Sequence, residues 1–439
     1  MPQETTTTER AAPVRSEAKL PEESALSDDF LRQLINVGEV DILIGLPTHN
    51  NAKTIGAVVQ SVQSGILKWF PRERAAIVNP DGGSRDGTAA LVAAASIDDV
   101  RHASLYTLRT LHSISTQYAT TPEHGAAFRN ILAAAELLRA KACVVISPES
   151  TNIRPEWLSA LVRPVIDGNF DLLMPTYRRH KFDGLLMTNL LYPMTRALYG
   201  AHIREPYAAE FAFAGNLGSQ FLSQCNWSDE TVQAGPEVQF ILGAIAGHSR
   251  MGQTFLGDRQ HIERRATDLV PAMRQTVGAL FASLETNFSF WSSSTAQPLT
   301  TVGGDHEVDL DPIRVNRKRL RDMFSIGVKE LASVFQSILS PSTRAELDRI
   351  AGLGEDEFRY PAELWVRTVY EFAASYHKSV ISRDHIIQAL APLFRGRACT
   401  FVVENRYASA DGVENSIDSL CLEFERWKPY LLEMWTGRE

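Results

Sequence analysis

Two short apolar runs, at 42–46 and 75–78, constrain this chain more than any other feature. Each has strand length, ends in a polar turn, and leads into a segment with helical spacing. A β-turn-α unit followed by another is the pattern of a parallel sheet with helices on its faces. In such sheets ligands sit outside the carboxyl ends of the strands. Asn50, Asn51 and Asp81, which close the two runs, are therefore expected at the lip of one crevice.

The second turn reads NPDGGSRDGT over 79–88. Gly82 and Gly83 permit tight backbone geometry and close ligand approach. Ser84 and Asp86 are natural caps for a helix starting near Thr88. That leaves Asp81 at the strand tip as an acceptor for a base or ribose, although a capped turn without any ligand has the same sequence. A dinucleotide-binding Rossmann reading is weaker, because no G-x-G-x-x-G follows either strand.

Further along, strands are expected at 105–109, 142–146, 170–175 and 250–256, with helices at 27–37, 126–140, 184–199 and 235–247. Beyond about residue 268 the patterns are mostly helical, at 273–291, 317–339, 342–351, 362–377, 383–391 and 414–435. The fold class is thus α/β, a Rossmann-like, mostly parallel sheet domain followed by an all-helical C-terminal region. Three units are expected: a disordered tail over 1–26, rich in Thr, Glu, Pro and Ser, a nucleotide-binding unit over 27–268, and a helical unit over 269–439. Trp365, Tyr370, Phe372 and Trp427 are expected in the helical core rather than along a groove.

The formal net charge of −8 argues against nucleic acid as a partner. The four cysteines are widely separated and form no C-x-x-C pair, which points to a reducing compartment. Thr5–Thr8 is polar with no apolar core behind it, so no signal peptide is expected. No apolar run reaches about 18 residues, so no membrane span is expected, and the localisation expected is cytoplasmic.

In order and spacing, the motifs resemble GT-A-fold, family-2-like glycosyltransferases, and among them the glucosylglycerate and glucosyl-3-phosphoglycerate synthases. The resemblance runs over roughly 40–435. It rests on a P-x-x-N turn at Pro47 to Asn50 and on DGGS-x-DGT from Asp81 to Thr88. An L-G-x-x-x-H segment at Leu256, Gly257 and His261, and P-L-x-x-G-R at Pro392, Leu393, Gly396 and Arg397, complete it. It implies a GT-A-like nucleotide-sugar-binding domain. The first turn (Pro47, Asn50, Asn51), Asp81 and Gly82 would hold the nucleotide, and His124 would meet its diphosphate. A divalent cation, Mg²⁺ or Mn²⁺, would sit on Glu149 and His261 and neutralise charge as the sugar bond breaks. Thr188 and Glu210 would place a small polar acceptor such as glycerate, with Glu237 near the hydroxyl that attacks. Retention of anomeric configuration is likewise implied.

The chain departs from the family at several points. The usual metal-binding D-x-D is Ser147-Pro148-Glu149, and the usual G-K-G is Glu123-His124-Gly125. Two acceptor-loop glycines are Ala208 and Ala209, and an arginine that meets acceptor phosphate is replaced by Leu186. The basic run Arg178 to Lys181 is either a substitute for that arginine or a solvated loop. Two functions are therefore expected from the sequence. One is an active hexosyltransferase. The other is a catalytically weakened paralogue that binds ligand or an active relative. The helical half also offers surface for a homo-oligomer.

Overall fold

The computed structural model describes residues 26–94, 111–117, 124–227, 235–259, 269–294, 300–302, 306–312 and 314–437. The expected tail up to residue 25, the expected strand at 105–109 and His261 lie outside them. Leu26, assigned to the tail from sequence, is buried against the core.

Among the described residues nine strands form one sheet: β1 Ile42–Gly45, β2 Ala75–Asp81, β3 Leu111–Gln117, β4 Ala142–Val145, β5 Leu172–His180, β6 Phe211–Ala214, β7 Met251–Asp258, β8 Thr300–Val302 and β9 Glu307–Asp309. Their order is β3-β2-β1-β4-β6-β5-β7-β8, with β9 added on β5. Every pairing is parallel except those of β6, which runs against both β4 and β5. The class expected from sequence, an α/β, mostly parallel sheet followed by a helical C-terminal region, is the class observed.

β1, β4 and the first four residues of β2 are apolar because helices cover both faces. Ile42, Ile44, Ala75, Ile77 and Val144 face one core with the helices Ile55–Trp69 and Glu156–Ile166. Leu43, Ala76, Val78, Cys143 and Val145 face a second core with the helices His124–Leu137 and Pro236–Ala246. This second core continues without a break into the C-terminal helices through Trp365, Tyr370 and Phe372, all fully buried. Helix His124–Leu137 lies so close to β1 that a Cβ on Gly45 would come within 2.6 Å of Ile131.

Several elements differ from the sequence expectation. β5 runs on through the basic segment to His180, because β9 pairs with its end: Arg178, Arg179 and His180 oppose Glu307, Val308 and Asp309. β8 and β9 are short and polar, and they join the sheet from beyond residue 268. The helix expected at 383–391 continues to Glu404. Pro392 does not end it, since packing overrides the local break. Gly327 of helix Arg317–Glu330 lies against the proline ring, and a Cβ on Gly327 would be 2.3 Å from it. Helix Arg383–Glu404 is long and apolar enough to cross a membrane, yet 83% of its most apolar stretch is buried in the fold.

Candidate functional site

The order of the strands places a topological switch point between β1 and β4. From β1 the chain winds outward to β2 and β3, then returns to lay β4 on the other side. The turns that follow β1 and β4 flank the crevice such a switch opens.

On one side of that crevice, the turns after β1 and β2 are zipped into a single unit. Parallel pairing continues past the strands as Thr48 N–H donates to the Pro80 carbonyl (3.1 Å) and Gly82 N–H to the Thr48 carbonyl (2.8 Å). His49 Nδ1 meets the Gly82 carbonyl at 2.9 Å, and Asn50 Nδ2 meets His49 Nε2 at 2.9 Å, which fixes the Nδ1–H tautomer. Asn50 sits at φ +55°, a conformation asparagine tolerates, and its Oδ1 accepts from Arg85 N–H. Asn51 Oδ1 accepts from His49 N–H, and Asn51 N–H donates to Thr88 Oγ1. Asp86 receives the Ala52 N–H. Pro47, Asn50, Asn51, Asp81 and Gly82 are thus together, as expected.

Asp81 does not stand free at the strand tip. It is 4% exposed. Its Oδ1 accepts from Thr48 Oγ1 (2.7 Å) and Ser84 Oγ (2.6 Å), and its Oδ2 from Gly83 N–H (3.1 Å) and Ser84 N–H (2.7 Å). Four donors fill the acceptor sites of one carboxylate. These bonds give Asp81 a part in shaping the turn beside the crevice.

The turn after β4 forms the opposite wall, tied across the crevice floor by Thr54 Oγ1 donating to the Pro148 carbonyl (2.6 Å). Ser147 is buried, and its hydroxyl accepts from Glu149 N–H at 3.2 Å. It therefore braces the turn. Glu149 is half-buried in this turn. Among the described residues no group of three or more His, Cys, Asp or Glu side chains converges to hold a metal. The second expected ligand, His261, lies outside those residues.

Glu210, expected beside an acceptor, is fully buried under this turn. Ser150 Oγ donates to its Oε1 and the Tyr177 hydroxyl to its Oε2, both at 2.6 Å. Arg259 Nη2 lies 3.4 Å from Oε2, and the same guanidinium is 4.8 Å from the Tyr177 ring centroid. Burial, then the Glu210 charge, pushes the Tyr177 hydroxyl well above its ordinary value, so it stays a donor. One carboxylate thus joins the turn after β4, the middle of β5, the start of β6 and the end of β7. In this structure Glu210 braces these elements. Tyr177, Ser150 and Arg259 were not singled out from sequence. Alternation along β5 was the available signal, since it turns Tyr177 inward.

Thr188 lies on a π-helical turn, Met187–Leu191, that opens helix Tyr192–Tyr199. It lines a cavity of about 20 Å³ with Arg179, Arg204, Glu205, His306 and Glu414. That is room for one water. Glu205 is buried and held by a two-pronged bond from Arg179, 2.9 Å at Nη2. Burial pushes the Glu205 carboxyl up, but the Arg179 charge outweighs it and leaves the group below the usual range.

The basic run is structural. Arg178 lies 3.8 Å from Asp258 and 3.9 Å from Asp309. Arg179 is shared by Glu205 and Asp183. His180 Nε2 donates to the Asp311 carbonyl (2.7 Å), while Lys181 Nζ binds the carbonyls of Arg406 (3.0 Å) and Ala408 (3.4 Å). These contacts pin β5 to β9 and to the C-terminal helices.

Glu237 occupies the first turn of helix Pro236–Ala246. Gly235 before it has φ +74°, and a Cβ there would strike the Gln275 carbonyl oxygen at 2.5 Å. Burial lifts the Glu237 carboxyl to about 7. No hydrogen bond or ion pair among the described residues joins it to the other candidates. His124 opens helix His124–Leu137, but its side chain lies outside the description, as does His261.

Among solved structures, the chain is similar to glucosyl-3-phosphoglycerate synthase from Mycobacterium tuberculosis in complex with Mn²⁺, UDP and glucosyl-3-phosphoglycerate. Identity is 21% over 56% of this chain and 80% of that chain, with a TM-score of 0.41. The same enzyme with Mg²⁺ and UDP matches at 20% identity over 58% and 83%, TM-score 0.41. Mannosyl-3-phosphoglycerate synthase from Rubrobacter xylanophilus matches at 21% over 60% and 79%, TM-score 0.40. No family model matches the chain, and no curated protein does.

Proposed function

We propose that the protein transfers a hexosyl group from a nucleoside-diphosphate sugar to a small polar acceptor such as glycerate. The observation that carries this reading is the pair of turns at the β1/β4 switch point. One wall is a backbone-rich double turn fixed by Asp81; the other is the turn that carries Glu149. A crevice whose walls are held in place by their own hydrogen bonds suits a nucleotide, because it needs no reorganisation on binding.

In this reading Pro47, Asn50, Asn51 and Gly82 form the nucleotide wall and His124 meets the diphosphate. Glu149 and His261 would share a divalent cation, which when bound neutralises diphosphate charge as the leaving group departs. Thr188 orients the acceptor, and Glu237 handles the proton of its nucleophilic hydroxyl. Retained configuration belongs to the same proposal, as does the division into a nucleotide-sugar-binding unit and a helical unit. The test is a titration of nucleoside-diphosphate sugars with and without Mn²⁺ or Mg²⁺, followed by product detection with glycerate. Absence of both binding and product across uridine and guanosine donors would sink the reading.

A second reading, a weakened paralogue serving as a ligand-binding or partner subunit, is favoured by one observation. The Ser147 hydroxyl, at the position of a metal carboxylate, is buried and engaged with Glu149 N–H. Saturable nucleotide binding without turnover, and turnover on mixing with an intact relative, would select this reading. Ser147→Asp should then tighten Mn²⁺ binding; unchanged Mn²⁺ affinity removes the metal assignment from this turn.

A further inference from the structure

The π-helical turn that carries Thr188 has a cause in the sequence. An α-helical bond to the Asn189 carbonyl would come from the N–H of residue 193, and residue 193 is proline. Proline has no N–H to give. The turn takes up an extra residue instead: the Tyr192 N–H bonds to the Met187 carbonyl, five positions back. Such turns recur at functional sites. Asn189 is fully buried, so its carbonyl needs a donor from within the protein.

That donor comes from the far half of the chain. Trp365 Nε1–H, on helix Ala362–His377, donates to the Asn189 carbonyl at 2.7 Å, across 176 positions. Trp365 is itself fully buried, and its ring packs against Tyr360 (centroids 5.6 Å apart, edge to face) and Phe394 (6.4 Å). The Tyr360 carbonyl accepts from Arg397 Nη1 (3.2 Å), and the Tyr360 N–H donates to Thr400 Oγ1 (2.9 Å). Arg397 closes the P-L-x-x-G-R segment, so that segment braces the ring against which Trp365 rests.

From Asn189 the contact passes to Thr188. Asn189 Nδ2 donates to the Thr188 hydroxyl (3.2 Å) and to the Leu185 carbonyl (3.1 Å). The Leu185 carbonyl can only accept, which fixes the orientation of the amide. Trp365 thus holds the backbone of Asn189, and the side chain of Asn189 holds the Thr188 hydroxyl.

We propose that Trp365 is a positioning residue for the acceptor: its indole N–H keeps the turn in its π form and so sets where the Thr188 hydroxyl points. The proposal rests on the reading above, in which Thr188 orients the acceptor, and adds that the C-terminal helices complete that subsite. Closing the turn to α-helical geometry shifts the hydrogen-bond register by one residue. That turns Thr188 by about 100° around the helix axis, away from its place.

Acceptor kinetics of the full chain test this, with glycerate varied at a saturating level of the nucleotide sugar that the native protein uses. Trp365→Phe keeps an aromatic ring and deletes the donor. Its kcat/KM for glycerate should fall about tenfold, as for one buried carbonyl left without a donor, while its nucleotide-sugar affinity stays native. Exchange of the amide hydrogens over 187–192 should quicken in the same variant. Adding Pro193→Ala supplies the Asn189 carbonyl with an N–H in α-helical register. The double variant should regain the thermal midpoint that Trp365→Phe loses and keep the poor kcat/KM for glycerate. Recovery of both would make the bond structural only and overturns the proposal. So does an active native protein whose Trp365→Phe variant matches it in kcat/KM for glycerate, or in exchange over 187–192. A native protein that neither binds a nucleotide sugar nor forms product defeats the transferase reading itself, and the acceptor role of Trp365 with it.

Discussion

The Tyr177 hydroxyl and the Glu210 carboxylate meet at 2.6 Å in an interior where both side chains are fully buried. Their bond fastens β5 to the start of β6, and Ser150 extends it to the turn that carries Glu149. A buried charge is tolerated only when it is paired and its remaining acceptor sites are filled. Glu210 meets this condition through Ser150, Tyr177 and Arg259.

Removing the carboxylate should therefore cost stability before it costs anything else. Glu210→Ala leaves Arg259 without its counter-charge and is expected to lower the unfolding free energy by about 3–5 kcal/mol. Tyr177→Phe deletes one bond to a charged group and should lose about 1–3 kcal/mol. Urea unfolding of both variants checks this. A Glu210→Ala variant of native stability with only a weaker acceptor affinity would return Glu210 to the acceptor.

Asp81 leads to a similar expectation. With four donors directed at its carboxylate, Asp81→Ala strands two backbone N–H groups and two hydroxyls in a loop that water partly reaches, at a cost of about 2 kcal/mol. Nucleotide affinity should fall with the loop's order. Thermal unfolding and nucleotide titration on the same samples decide the matter: lost affinity with an unchanged midpoint would mean a direct contact.

How far these residues were legible from sequence follows from how local their signals are. The two opening β-turn-α units and the P-x-x-N and DGGS turns are written within about ten residues each, and they form where expected. Glu210 was read as free because its partners lie elsewhere in the chain, Tyr177 33 positions away and Ser150 60; of the donors to Asp81 only Thr48, 33 positions away, is distant, and those of Gly83 and Ser84 are local. Local patterning carries no record of such pairings. The same applies to β9, which converts the basic run from a loop into strand, and to Pro392, whose break is overridden by a glycine on another helix.

The engagement of that basic run also bears on the acceptor. Arg179 and Lys181 already hold Glu205, Asp183 and two carbonyls. Freeing either for a phosphate would uncover a carboxylate or break the contact with the C-terminal helices. On the proposed function, an unphosphorylated acid should therefore be the better acceptor. Side-by-side product assays with glycerate and 3-phosphoglycerate read this out. A clear preference for the phosphorylated acid would mean that the run rearranges on binding.

Glu237 gives a pH-dependent expectation that separates a chemical role from a structural one. Burial raises its carboxyl from 4.5 to about 7 in the folded protein. The folded state thus holds a proton that the unfolded chain has already released between these two values. Its contribution to stability is fully present below pH 4.5 and declines as pH rises towards 7. Glu237→Gln keeps the shape and cannot ionise, so its unfolding free energy should fall less across that window and exceed the native value at pH 8. If Glu237 also takes the proton of the acceptor hydroxyl, transfer by the native protein should rise with an apparent pKa near 7. The variant should then lose both the rate and the rise. A variant with the altered stability profile but native transfer rates at every pH would leave Glu237 as a buried carboxyl at a helix start, with no part in the reaction.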